Sequence, residues 1–177
     1  MERLVEKLLV SCYYKETMQL TNNFWRDRVK DGKKYYPTAL CLHITDGSLE
    51  GTLAHIKNPA SQVSYNWLFH KGEFIEVVKE SDAAWANGLA VRPTWKGYDP
   101  KVNSNLRTIS VGVISRGGFP NVLHWFAWAK GCRDICKRNN IPMDNLRIVN
   151  HNEINSSKTC PGDWYSKRWF LLLKNFV

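Results

Sequence analysis

An imidazole, an ammonium and a thiol stand within ten positions of one another in Asn150-His151-Asn152-Glu153-Ile154-Asn155-Ser156-Ser157-Lys158-Thr159-Cys160-Pro161-Gly162. His151 and Cys160 are borderline-soft donors of the kind zinc takes, and the Asn, Ser, Pro and Gly around them read as a loop that can fold both side chains onto one ion. Two ligands do not hold a catalytic metal. The third is expected from His43, near the C-terminal end of the apolar run Ala39-Leu40-Cys41-Leu42-His43-Ile44-Thr45, which reads as a buried strand and hence a rigid platform. Two nitrogens and one sulfur, with the fourth position left to water, is the arrangement of a catalytic zinc site, one ion per chain. Blander readings compete with this one, since a His at a strand end is commonly just a satisfied polar residue and a lone Cys is commonly just small and buried. Lys158 beside Cys160 weighs against them. A different chemistry also uses these residues: Cys160 as a nucleophile with His151 or His43 as its base.

Several elements must position these groups. The run from Tyr36 to His43 predicts the first strand, and Asp46-Gly47 a turn. Leu49 to Lys57 reads as a helix, with Ser48 giving half of a start signal and Asn58-Pro59 the stop. Val63 to Phe69 and Phe74 to Val78 read as two strands of a hairpin through His70-Lys71-Gly72-Glu73, which would carry Tyr65 on a strand. Trp85 to Asn105 is turn-rich and irregular, and a segment of that length inside a domain is usually functional, here one wall of a substrate groove. Thr108 to Ile114 predicts a buried strand, and Pro120 or Asn121 opens a helix to about Asn139. Leu146 to Val149 predicts the strand that delivers His151, and Asp163 the cap of a last helix. Strands alternating with helices, plus one hairpin, imply an α/β single domain with a central mixed β-sheet flanked by helices. Residues 1–21 read as an N-terminal helical extension packed on the domain, with Leu4, Val5, Leu8 and Leu9 on one face, and residues 22–177 as the catalytic domain.

A strand ending in Leu-His-Ile-Thr-Asp-Gly, a late His-Asn-Glu-Ile and a Lys-Thr-Cys-Pro-Gly, in that order, resemble the zinc-dependent N-acetylmuramoyl-L-alanine amidases of the peptidoglycan-recognition-protein fold. Within them the chain is most similar to the small endolysins of phages and prophages. Asn58 to Tyr65, Ala84-Trp85-Ala86-Asn87-Gly88 and Ser110-Val111-Gly112-Val113 add to the resemblance, which runs from about Asn22 to about Trp169. It implies a peptidoglycan hydrolase that cuts the amide bond between N-acetylmuramic acid and L-alanine. Zinc would polarise the carbonyl and acidify a water molecule. Tyr65 and Lys158 match the family's catalytic tyrosine and lysine, and both can donate to a developing oxyanion. Trp85, Asn87 and Asn105 are candidates for contacts to peptide or sugar, and Glu153 for orienting a ligand. One departure stands out: many relatives carry a glutamate on the strand matching Ser110 to Ile114, where this chain has none, so the proton shuttle falls to Tyr65, Lys158 or water. Recognition proteins of the same fold bind peptidoglycan without cutting it and typically lack the cysteine ligand, which makes a non-catalytic binder the competing reading.

Composition bounds the rest. With 177 residues and 44% apolar content the chain suits one domain with a real core, expected to be a monomer. Five cysteines without a C-x-x-C pair argue against a disulfide framework. Cys132 and Cys136, four apart on a helix with Val122, Phe126 and Ala129, read as core, as do Cys12 and Cys41. No stretch of eighteen uncharged apolar residues predicts a membrane span and no signal peptide is evident, so a protein held in the cytoplasm until its release to the cell wall is expected. A net charge of +9, densest from Arg26 to Lys34, suits attraction to an anionic envelope or an evenly solvated surface, and no nucleic-acid motif is present.

Overall fold

The computed structural model describes residues 14–15, 25–115, 122–162, 165, 167, 170 and 171. The expected helix over residues 2–12 and the cap at Asp163 lie outside them. Within the N-terminal extension only β1 (Tyr14–Lys15) is described, and it is a strand. Four strands form the central parallel part of the sheet: β5 (Ala39–Thr45), β6 (Trp67–His70), β9 (Thr108–Ile114) and β10 (Ile148–Asn150). With β7 (Glu73–Glu76) the six-stranded order is β1-β7-β6-β9-β5-β10, antiparallel only between β6 and β7. Two small antiparallel pairs lie outside it: β2 (Trp25–Asp27) with β8 (Asp82–Ala84), and β3 (Val29–Lys30) with β4 (Lys33–Lys34). Helix α1 is Leu49–Lys57, α2 is Val122–Arg138 and α3 is His151–Ile154. This is the α/β architecture with a mixed, helix-flanked sheet that the alternation of patterns implied.

Side chains alternate across each strand, and the alternation assigns the two faces. Leu40 and Leu42 of β5, with Ile109, Val111 and Val113 of β9, pack on one face against Trp128, Ala129, Cys132, Ile135 and Cys136 of α2. Cys132 and Cys136 are thus core, as their spacing implied, while Val122 at the helix start is exposed. Ala39 and Cys41 point to the other face, where they meet Trp95, Val149 and Ile154. His43 follows Cys41 by two and shares that face, so the chemistry sits across the sheet from α2.

The contact between α2 and the sheet is close at one point. A Cβ added at Gly131 would stand 2.1 Å from Phe74 Cε2, so Gly131→Ala forces the helix or the ring to shift. Overpacking of that kind costs about 1 to 3 kcal/mol. The expected result is a lowered denaturant midpoint with unchanged activity per folded molecule, and an unchanged midpoint would contradict the packing described.

Element boundaries differ from expectation near Asn66. The second strand begins at Trp67 rather than Val63, and the buried Asn66 just before it adds side-chain bonds to a backbone that already pairs with Ser110 O and Val77 N. Its Nδ2 donates to the carbonyls of Val78, Lys79 and Asp82 at 3.3, 3.0 and 3.0 Å, and its Oδ1 accepts from Ser110 N at 3.0 Å. Tyr65 therefore lies just before β6, not on it. The hairpin turn is tighter than expected, only Lys71-Gly72, both at positive φ (49° and 92°), as a two-residue primed turn demands.

Candidate metal and catalytic site

Parallel register brings the two imidazoles together. Asn150 at the end of β10 pairs with Leu42 of β5, so the residues that follow them, His151 at the start of α3 and His43 of β5, come close together. Their ring centroids are 4.5 Å apart. Cys160 returns to the same place on the loop after α3, where its Sγ accepts a hydrogen bond from Ile44 N at 3.1 Å. The candidate ligand atoms of His43, His151 and Cys160 all lie within 4.8 Å of one another.

A test of whether this trio suits a metal comes from its hydrogen bonds. His43 is 2% exposed and its Nε2 is buried without a hydrogen-bond partner, a costly state for a polar atom. His151 places Nε2 3.0 Å from the carbonyl oxygen of Asn87. A carbonyl only accepts, so Nε2 carries the proton and Nδ1 keeps its lone pair. Burial, reinforced by His151 and opposed by the Asn87 side chain, holds the pKa of His43 well below the usual histidine range. Burial also lowers that of His151, with the Asn87 contact opposing and Lys158 adding to the shift. Both rings are therefore neutral donors at neutral pH. The donor set fits a divalent ion of zinc's kind.

Burial pushes the Cys160 thiol up to about 11, Asp46 adding to the rise and the Ile44 N–H and Lys158 opposing it. That is the reverse of an activated cysteine nucleophile, whose pKa is lowered. The thiol reading thus lacks the environment it needs, whereas a coordinating cation would stabilise the thiolate.

Tyr65 stands beside the trio, its ring 5.4 Å from that of His43 in an edge-to-face arrangement. A Cβ at Gly112, the register partner of His43, would meet Tyr65 Cδ1 at 3.3 Å; a side chain there would crowd the tyrosine. Burial, with Cys160 and Cys41 adding, raises the Tyr65 phenol above its ordinary range, which keeps it a hydroxyl donor. The site face of β9 offers Ser110, Gly112 and Ile114, none of them a carboxylate. Lys158 is exposed on the loop, and its charge reaches both His151 and Cys160.

That loop is organised by Asn155, which sequence reasoning did not single out. Its Nδ2 donates to Leu89 O at 2.9 Å and its Oδ1 accepts from Ser157 N at 3.0 Å and Ser157 Oγ at 2.6 Å. The irregular segment after Trp85 packs against this loop and the helix before it: Val91 bridges to Asn155, and the N–H groups of Thr94 and Trp95 donate to Glu153 O. Asn87 and Asn105, expected to contact substrate, are instead buried, at 0% and 5% exposure, where the Asn87 N–H donates to Asn105 Oδ1. Trp85 is half-buried, with the Arg26 guanidinium 5.4 Å from its ring centroid. Glu153 lies outside the ligand trio. Its Oε2 accepts from Asn150 N at 2.8 Å and from Lys167 Nζ at 2.6 Å, holding the start of the helix that His151 opens.

Solved structures share this architecture. The selenomethionine derivative of AmpD superposes with a TM-score of 0.65 at 18% identity, over 91% of this chain and 96% of that one. AmiD from E. coli, in complex with the substrate anhydro-N-acetylmuramic acid-L-Ala-D-gamma-Glu-L-Lys, gives a TM-score of 0.63 at 20% identity over 82% of this chain and 61% of that one. The N-acetylmuramoyl-L-alanine amidase LysC from Clostridium intestinale gives 0.58 at 14% identity over 80% and 87%. At such identities the likeness speaks to the fold. No curated protein matches the chain. The family model described as N-acetylmuramoyl-L-alanine amidase matches residues 33–163, which takes in His43, Tyr65, His151, Lys158 and Cys160, and the chain accordingly belongs to the N-acetylmuramoyl-L-alanine amidase family.

Proposed function

We propose that the protein is a zinc-dependent peptidoglycan hydrolase that cleaves the bond between the lactyl carbonyl of N-acetylmuramic acid and the amine of L-alanine. The observation that carries this reading is the convergence of His43, His151 and Cys160, from two adjacent strand ends and one loop, with ligand atoms within 4.8 Å. When bound, zinc supplies Lewis-acid polarisation of the carbonyl and a water of lowered pKa. His43 and His151 hold it as neutral imidazoles and Cys160 as a thiolate. Tyr65 donates its hydroxyl proton as a hydrogen bond to the oxyanion that forms when the carbonyl is attacked. Lys158 brings positive charge to the same region, and removing one such donor typically costs on the order of a hundredfold in rate. Trp85 and the segment after it line the approach for the glycan and stem peptide. A mutant endolysin from Bacillus subtilis, whose solved structure superposes with a TM-score of 0.57 at 14% identity over 84% of this chain and 86% of that one, supports a phage or prophage lysin acting on the wall.

Digestion of purified cell walls tests the reading. Free N-terminal alanine should appear without new reducing sugar ends. A chelator should abolish the reaction and zinc restore it, whereas new reducing ends alone would reject the assignment. A protein that binds walls but releases no alanine would instead be a recognition protein, a reading that the Cys160 ligand disfavours.

A further inference from the structure

The reaction itself does not use Ser104, Asn105 or Thr108, yet all three converge on the residue that holds His151. The Asn87 N–H donates to Asn105 Oδ1 at 3.0 Å, and Asn87 Nδ2 donates to Thr108 Oγ1 at 2.9 Å and Ser104 Oγ at 3.3 Å. Thr108 Oγ1, having accepted from Asn87, donates its own proton to Ser104 O at 3.1 Å. Asn87 is thereby fixed through its backbone N–H and through its side chain, which leaves its carbonyl little freedom of direction. That carbonyl is the oxygen 3.0 Å from His151 Nε2. Thr108 is 1% exposed, so its hydroxyl does not meet substrate, and a buried hydroxyl engaged both as acceptor and as donor specifies geometry.

We propose that Thr108 and Asn105 are positioning residues: acting through Asn87, they fix the tautomer and ring orientation of His151 and so set how tightly the site holds its ion. The inference rests on the metal reading given above. Groups that orient a ligand in this way typically contribute 10- to 100-fold in metal affinity.

The test compares Thr108→Val, which keeps the branched shape but removes the hydroxyl, with Thr108→Ser, which keeps the hydroxyl. Zinc affinity is measured on the full chain by competition with a chromophoric chelator. The protonated nitrogen of His151 is read in the metal-free protein by nitrogen-15 NMR. Thr108→Val should bind zinc about 10- to 100-fold more weakly and lose its single Nε2–H tautomer, while Thr108→Ser stays within about threefold of wild type with the tautomer kept, a rescue that a purely packing role would not give. If Thr108→Val does not fold, Ser104→Ala, which removes one acceptor of the Asn87 amide, should move both readouts the same way. Wild-type affinity and tautomer in the variant that lacks the hydroxyl would overturn the proposal. A wild-type chain that takes up no zinc overturns the metal reading and with it the claim about affinity, and the tautomer comparison then decides the positioning of His151 by itself.

Discussion

His43→Ala is expected to abolish tight zinc binding and to reduce wall lysis below detection while the domain still folds. The residue occupies the fifth position of β5, between β9 and the edge strand β10, and its neighbour Leu42 keeps its own place in the core. Truncation leaves a small cavity, but it also removes a buried nitrogen that has no hydrogen-bond partner, and the two effects on stability oppose each other. The metal-free variant should therefore melt close to wild type. What it loses is the stabilisation by the ion, which at a zinc concentration a thousandfold above the dissociation constant amounts to about 4 kcal/mol. Thermal melts with and without zinc, beside a measurement of bound metal and of lysis, check this. A variant that still carries one equivalent of zinc and still lyses walls would refute the assignment of His43 as a ligand.

Arg28→Met should be the most destabilising change outside the site, by about 3 kcal/mol or more, since hydrogen bonds from charged donors contribute about 1.5 to 3 kcal/mol each. Arg28 is 3% exposed. Its guanidinium donates to the carbonyls of Asn105, Leu106 and Thr108 at 2.9 Å each and to that of Glu80 at 3.2 Å. Burial lowers its pKa to about 10, with Asp82 and Glu80 opposing, so it stays charged at neutral pH. Methionine replaces the stem but leaves four carbonyls without that donor. Arg28→Lys keeps the charge but not the planar fork, so it should recover only part of the loss. Because three of these carbonyls belong to the segment that supplies Asn105 and Thr108 to Asn87, the variant should also bind zinc more weakly. A denaturant midpoint within error of wild type would contradict this account.

Arg28 also shows how far the reading of a sequence can reach. It belongs to the basic run Arg26 to Lys34, which by composition is a solvated or envelope-facing surface, and its neighbours Arg26, Lys30, Lys33 and Lys34 are indeed exposed. Nothing in a one-dimensional pattern distinguishes the one guanidinium that four backbone carbonyls will surround. The same limit explains Asn87 and Asn105. An Asn in a turn-rich segment is equally suited to meeting a ligand and to satisfying buried backbone, and only the fold decides which partner is within reach.

What the amino-acid order determined by itself was whatever depends on local periodicity and residue chemistry. The apolar runs of β5 and β9, read as buried strands, and the helical spacing of α1 and α2 follow from side chains that must find an apolar environment within a few positions of one another. The soft donors His151 and Cys160, with His43 on a strand end, follow from the limited set of groups that can ligate zinc. Tertiary structure decided the rest, because it depends on contacts between distant segments. The parallel register of β10 on β5 sets the two imidazoles side by side. The Asn66 side chain pairs with three carbonyls just before β6, and Thr108, Asn105 and Arg28 hold in place the carbonyl that faces His151. The side-chain hydrogen bonds among these span 12 to 80 positions of chain, and their partners are chosen by packing.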